Sequence, residues 1–147
     1  MRLGLTAAFA LAASPLFAQG EEVTIRGEII DTWCYFSGVM GGPEAVQGTS
    51  HHTCAIWCSA GGIPVGLLGD DGTVYMILSI NGDDQSASGQ TQLELASHEV
   101  TAQGRLFARD GLNYLVIDAV LEDHGITNIN HVDFGVIPGF AIPNPEG

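Results

Sequence analysis

"HEVTAQGRLFARDGLNYLVIDAVLE", residues 98–122, decides the fold. Two long runs rich in β-branched and aromatic residues flank Asp110-Gly111, a tight-turn signal, so the stretch reads as a β-hairpin. Gly104 falls inside the first run and predicts a bend. Working outward, "EVTIRGEIIDTW" (22–33) alternates at Val23 and Ile25 and reaches Ile29-Ile30, a strand with an irregularity at Gly27. "PVGLLG" (64–69), the turn "DDG" (70–72) and "TVYMILSI" (73–80) form a second hairpin pattern. "NGDDQSASGQTQ" (81–92) reads as a polar, exposed loop.

Five strands with glycines in mid-strand let a small sheet curl and hide its edges. The expected fold is all-β with one short helix: a five-stranded OB-like barrel carrying a Cys/His-bearing loop-helix insertion between strands 1 and 2. A small open antiparallel sandwich is the competing architecture. The length suits one domain, residues 19–123, followed by a Pro/Gly-rich tail, 124–147, that packs on the barrel before its end frays.

The insertion holds the chemistry. "SGVMGGPEAVQG" (37–48) has four glycines and a proline without a period and reads as a loop. Thr49 or Ser50 is the expected cap of a short helix beginning near His51 and ending at Gly61-Gly62, before Pro64. On that helix His51, Cys54 and Cys58 stand at i, i+3 and i+7 and share a face. Cys34 arrives from the end of the first strand.

Thiolates and imidazole suit zinc and copper, and three cysteines with one histidine close a tetrahedral shell. The expected metal ligands are Cys34, Cys54, Cys58 and either His51 or His52, the latter if the helix begins later. Two other readings remain: a non-catalytic accessory subunit with one structural disulfide joining Cys34 to Cys54 or Cys58 beside a buried free thiol, or a thiol–disulfide redox accessory protein with a redox-active dithiol. The Cys-x-x-x-Cys spacing is wider than the Cys-x-x-Cys of zinc knuckles and thioredoxin-like sites. Asp31 is a candidate to orient a ligand histidine, or a simple turn or cap residue. Met40 would suit Cu(I) or pack on the barrel mouth. Trp33, Tyr35, Phe36 and Trp57 are expected beneath the inserted loop as core, with a dry wall around the site as the alternative. His98, His124 and His131 lie apart in sequence and read as surface or strand-end residues. No Gly-rich phosphate loop, His-Glu-x-x-His helix or haem-attachment Cys-x-x-Cys-His occurs, and no hydrolase is indicated.

Residues 1–18, "MRLGLTAAFALAASPLFA", carry one Arg, then an apolar run and small residues: a secretory signal peptide with cleavage expected after Ala18. The expected location is the periplasm, with no membrane span after cleavage. The chain bears 17 acidic residues, four arginines and no lysine, for a formal charge of −13. Such a surface repels phosphate backbones and anionic lipid, which argues against nucleic-acid or membrane-surface binding; it serves solubility first, with docking to a protein partner of basic surface as the alternative reading. Three cysteines in an exported chain leave one over after any disulfide, which a metal site using all three would explain.

The order "GEIIDTWC", a Gly-rich loop, "HHTCAIWC", "GGIPVGLL", "GTVYMIL" and "VTAQGRL" resembles a family of small exported bacterial OB-like domains of unknown function. In that family an Asp-x-x-Cys strand end precedes a His-x-x-Cys-x-x-x-Cys insertion and a barrel-like β domain follows. The resemblance covers residues 23 to about 120, with the cysteine pattern as its specific part. It implies export, a barrel and a site at Cys34, His51 or His52, Cys54 and Cys58, and it implies no activity.

Overall fold

The computed structural model describes residues 20–83 and 89–134. The expected signal peptide and the tail beyond residue 134 lie outside the described residues. Strands β1 (Glu21–Asp31), β2 (Val65–Gly69), β3 (Val74–Ile80), β4 (Glu99–Arg109) and β5 (Leu112–Asp123) close into one OB-like barrel in the order β1-β2-β3-β5-β4. β3 and β5 pair in parallel and the other neighbours are antiparallel.

Closure depends on strands that serve two partners. β1 pairs with β4 over Glu21–Glu28 and with β2 over Gly27–Asp31, and the two ladders overlap at Gly27 and Glu28. The strand can turn the corner there because a Cβ at Gly27 would stand 2.2 Å from the Leu68 carbonyl oxygen. Gly104 has the same role in β4: its register against β5 slips at Gln103/Gly104, and a Cβ would meet the Val116 oxygen at 2.1 Å. Ile29, Leu67, Ile77, Val100, Leu115 and Ile117 fill the barrel, each nearly inaccessible to solvent.

The consecutive pair Ile29-Ile30 departs from strict alternation for a structural reason. Ile29 belongs to the barrel core, whereas Ile30 is equally buried but lies outside that cluster. The insertion between β1 and β2 packs on this end of β1 and gives the strand a second covered face. The insertion consists of α1 (Thr32–Ser37), a 3₁₀ turn (Pro43–Val46) and α2 (Gly48–Ala60).

Three sequence expectations need correction. The chain turns into α1 directly after Asp31, and α2 begins at Gly48, so Thr49 and Ser50 lie within the helix. The last residues of the expected polar loop open α3 (Gln90–Glu94), braced by a Gln90–Glu94 side-chain hydrogen bond of 2.7 Å across one turn, with Gln92 fully buried. The start of the expected tail does more than cover the barrel. Glu99 and the segment after β5 exchange two backbone hydrogen bonds, at His124 and Gly125, and the chain then runs to α4 (His131–Phe134), which packs against α2.

Candidate metal centre

The site is assembled by a cap and a helix face. Asp31 ends β1 in extended conformation, and its Oδ1 accepts hydrogen bonds from the backbone N–H groups of Trp33 (2.9 Å) and Cys34 (3.2 Å). This N-cap starts α1 and directs Cys34 inward, where it is buried. Cys54 and Cys58 lie one turn apart on α2, half-buried, with sulfurs 3.9 Å apart. One donor atom from each of Asp31, Cys34, Cys54 and Cys58 falls within 4.8 Å of all the others. In a tetrahedral shell with metal–sulfur bonds of ~2.3 Å, neighbouring sulfurs would be roughly 3.8 Å apart, so the Cys54–Cys58 spacing already fits.

The three expected cysteine ligands therefore come together, and the fourth donor beside them is Asp31. Neither histidine belongs to this group of four. His51 shares the cysteine face of α2 but stops at Asp31, with Nε2 3.5 Å from Oδ2 and both side chains buried. His52, about 100° further round the helix, points elsewhere. Its Nδ1 lies 2.9 Å from the Ala96 carbonyl oxygen and its ring stacks on His98 with centroids 6.5 Å apart. His98 contacts Asp123, His124 contacts Thr101 and His131 contacts Thr49, which accounts for the remaining imidazoles away from the thiols. Met40 is partly exposed, at 38%.

The electrostatics follow from a carboxylate among thiols. Burial pushes the Asp31 pKa up, but the His51 ring, the Cys58 and Cys34 thiols and the Cys34 N–H outweigh it and hold the carboxyl well below the usual range. Burial, reinforced by the Asp31 charge, pushes the Cys34 thiol up to about 12 and the Cys58 thiol still higher. The metal-free cluster thus holds one anionic oxygen and at least two protonated sulfurs at neutral pH. Asp31 Oδ2 and His51 Nε2 are both inaccessible, and neither makes a hydrogen bond of good geometry. A buried carboxylate oxygen in that state, facing three thiols, fits a cation.

Three of the four aromatic residues are not the core beneath the loop, and Tyr35 is half-buried, edge-on to Phe36. Trp33, Phe36 and Trp57 are 53%, 62% and 59% exposed. The reason is the cap: turning Cys34 inward sends its neighbour Trp33 outward, while Trp57 lies beside Cys58 on the outer side of α2. Thr32, Trp33, Phe36, Ser37 and Gly62–Pro64 line a shallow groove of about 520 Å³. Between residues 32 and 64 the only Asp, Glu, Lys or Arg is Glu44, so the acidity resides elsewhere on the chain.

Two supporting residues had no visible signature in the sequence. The first turn of α2 has no side-chain cap of its own. Glu28 Oε1 accepts the Gly48 N–H at 2.6 Å, and Asn130 Oδ1 accepts the Ser50 N–H at 3.0 Å. Asn130 Nδ2 also donates to the carbonyls of Glu44 and Gln47, each at 3.0 Å. The fit is close enough to require glycine at 48, where φ is +60° and a Cβ would meet the Asn128 oxygen at 2.1 Å. Asp31 was visible as an acidic residue three before Cys34, and Asn130 sat in a stretch whose composition says only turn or tail.

No protein-family model matches the chain, and neither a curated protein nor a solved structure matches it. No helix among the described residues is long and apolar enough to cross a membrane.

Proposed function

We propose that this is a periplasmic transition-metal-binding domain that holds one zinc or copper ion with Asp31, Cys34, Cys54 and Cys58. The observation that carries the reading is the convergence of three thiols and a buried carboxylate within 4.8 Å, on a carboxylate oxygen that lacks a good hydrogen bond. Three sulfurs and one oxygen complete a closed shell, which suits a structural or sequestering role and leaves no position for substrate. When bound, the ion supplies the positive charge that the cluster lacks. The chain's own part is to surrender the thiol protons and to hold the four donors on three elements, the end of β1, α1 and α2, with Asp31 capping α1 and Asn130 clamping the start of α2. The acidic surface supports a basic protein partner in the exchange of that ion.

The test is elemental analysis and free-thiol counting on reduced chain purified without chelator. One equivalent of zinc or copper, retained with three thiols and lost in Cys54→Ser and Cys34→Ser, supports the proposal; reduced protein that takes up neither metal removes it. A second reading, thiol–disulfide exchange, is favoured by the 3.9 Å Cys54–Cys58 contact. The raised pKa values of Cys34 and Cys58 count against it, since exchange needs a thiolate near neutral pH.

A further inference from the structure

His51 is buried beside the cluster without being one of its four donors, and the metal reading alone gives it no task. We infer that His51 positions Asp31 as the oxygen ligand, and that this oxygen makes the centre one for a divalent cation of the zinc class, a cuprous ion being held by the thiolates alone. The inference rests on the metal-binding reading above and assigns the class of ion.

The argument begins with the two oxygens of Asp31. Oδ1 is committed to the N–H groups of Trp33 and Cys34, which fixes the plane of the carboxylate. Oδ2 accepts no backbone N–H and faces the thiols, and His51 Nε2 is 3.5 Å away with both side chains only 1% exposed. A small closure of that gap gives an N–H···O hydrogen bond, with an oxygen lone pair left over for a metal. The two groups come from different elements, β1 and α2, so the contact also fixes where the carboxylate stands relative to Cys54 and Cys58. The usual outer-shell arrangement places a carboxylate behind a ligand histidine; here the histidine is behind a ligand carboxylate, with the same orienting effect.

The class of ion follows from the chemistry of the fourth donor. Cu(I) is selected by soft sulfur ligands, and three thiolates satisfy it. A buried carboxylate would then add negative charge and no bond. Zinc accepts carboxylate oxygen at ~2.0–2.2 Å and closes a tetrahedron with three sulfurs and that oxygen.

The experiment titrates reduced full-length protein with Zn(II) and with Cu(I), each against a competing chromophoric chelator. Three variants are compared with wild type: Asp31→Asn, which keeps a side-chain oxygen to cap α1; His51→Leu, which removes the ring; and His51→Gln, which restores a donor. Circular dichroism checks that each folds. Zinc affinity is expected to fall roughly 10–100-fold in Asp31→Asn and His51→Leu and to recover in large part in His51→Gln, while Cu(I) affinity changes less than about threefold. Co(II) bound to His51→Leu is expected to keep the wild-type absorption bands, because no ligand has changed. Equal losses for both ions would make the pair merely structural, unchanged zinc affinity in Asp31→Asn would remove the oxygen ligand, and shifted Co(II) bands in His51→Leu would make His51 itself a ligand. Each of these overturns the inference with the metal site intact. Wild-type protein that binds neither ion overturns the metal reading instead.

Discussion

Asp31 ends a strand, caps a helix with one oxygen and leaves the other, ionised, among three thiols. Because Cys34 and Cys58 keep their protons at neutral pH and Asp31 does not, metal binding must expel thiol protons and none from the carboxylate. Zinc affinity is therefore expected to rise with pH, by about a hundredfold or more per pH unit between pH 6 and 8, since two or more thiol protons leave; a flat profile in competition titrations would contradict the protonation state. Three residues earlier, burial raises the Glu28 carboxyl to about 7, with the Gly48 N–H opposing and the Glu99 charge adding. The folded chain thus keeps a proton that the unfolded chain gives up near 4.5, so this group's contribution is full below that pH, declines towards pH 7 and is lost above it. Glu28→Gln can still accept the Gly48 bond and removes this slope. In urea unfolding the variant is expected to gain on wild type by up to about 3 kcal/mol between pH 4.5 and 8, because each pH unit separating the folded and unfolded titrations is worth ~1.4 kcal/mol. An unchanged difference across that range would show that Glu28 titrates normally.

At the scale of elements, α2 is a helix whose start is satisfied from outside. The Asn130 side chain bonds the Ser50 N–H and the carbonyls of Glu44 and Gln47, so the segment after β5 acts as a strap on the cysteine-bearing helix. Asn130→Ala leaves those buried groups unpaired and is expected to cost about 2–4 kcal/mol in denaturant unfolding. If the strap positions the cysteines, the same variant weakens zinc binding although it touches no ligand. Gly48→Ala is expected to do likewise, since the Cβ would collide with Asn128. Wild-type stability in both variants would mean that α2 stands by its packing alone. The sequence made the face shared by Cys54 and Cys58 legible, because helical periodicity is local. The partner of that face was not, because a contact 80 residues away, such as Asn130 to Ser50, leaves no local pattern.

Across the whole molecule, the barrel was readable from alternation, the Asp110-Gly111 turn and the two mid-strand glycines, all of which are local consequences of strand geometry. Gly27 and Gly104 are where the sheet bends closely enough to close, and Gly27→Val is expected to abolish the native near-ultraviolet signal by separating β1 from β2; a folded variant would place the corner elsewhere. The site was half readable. Cysteine spacing pointed to Cys34, Cys54 and Cys58, whereas the choice between histidine and aspartate depends on how far α2 slides along β1, which spacing does not encode. The outward aromatics followed from the same cap and were equally hidden. What the assembled molecule presents is an insertion with one acidic side chain, Glu44, and an aromatic rim, carrying a sulfur-rich centre and mounted on an acidic barrel.

The most direct measurement is X-ray absorption at the zinc edge of the loaded, reduced protein. The structure predicts a shell of three sulfurs at ~2.3 Å and one oxygen at ~2.0–2.2 Å, with the light-atom contribution lacking the multiple-scattering signature of imidazole. A shell with two or fewer sulfurs, or one containing an imidazole in place of the oxygen, would contradict the assignment of Asp31, Cys34, Cys54 and Cys58.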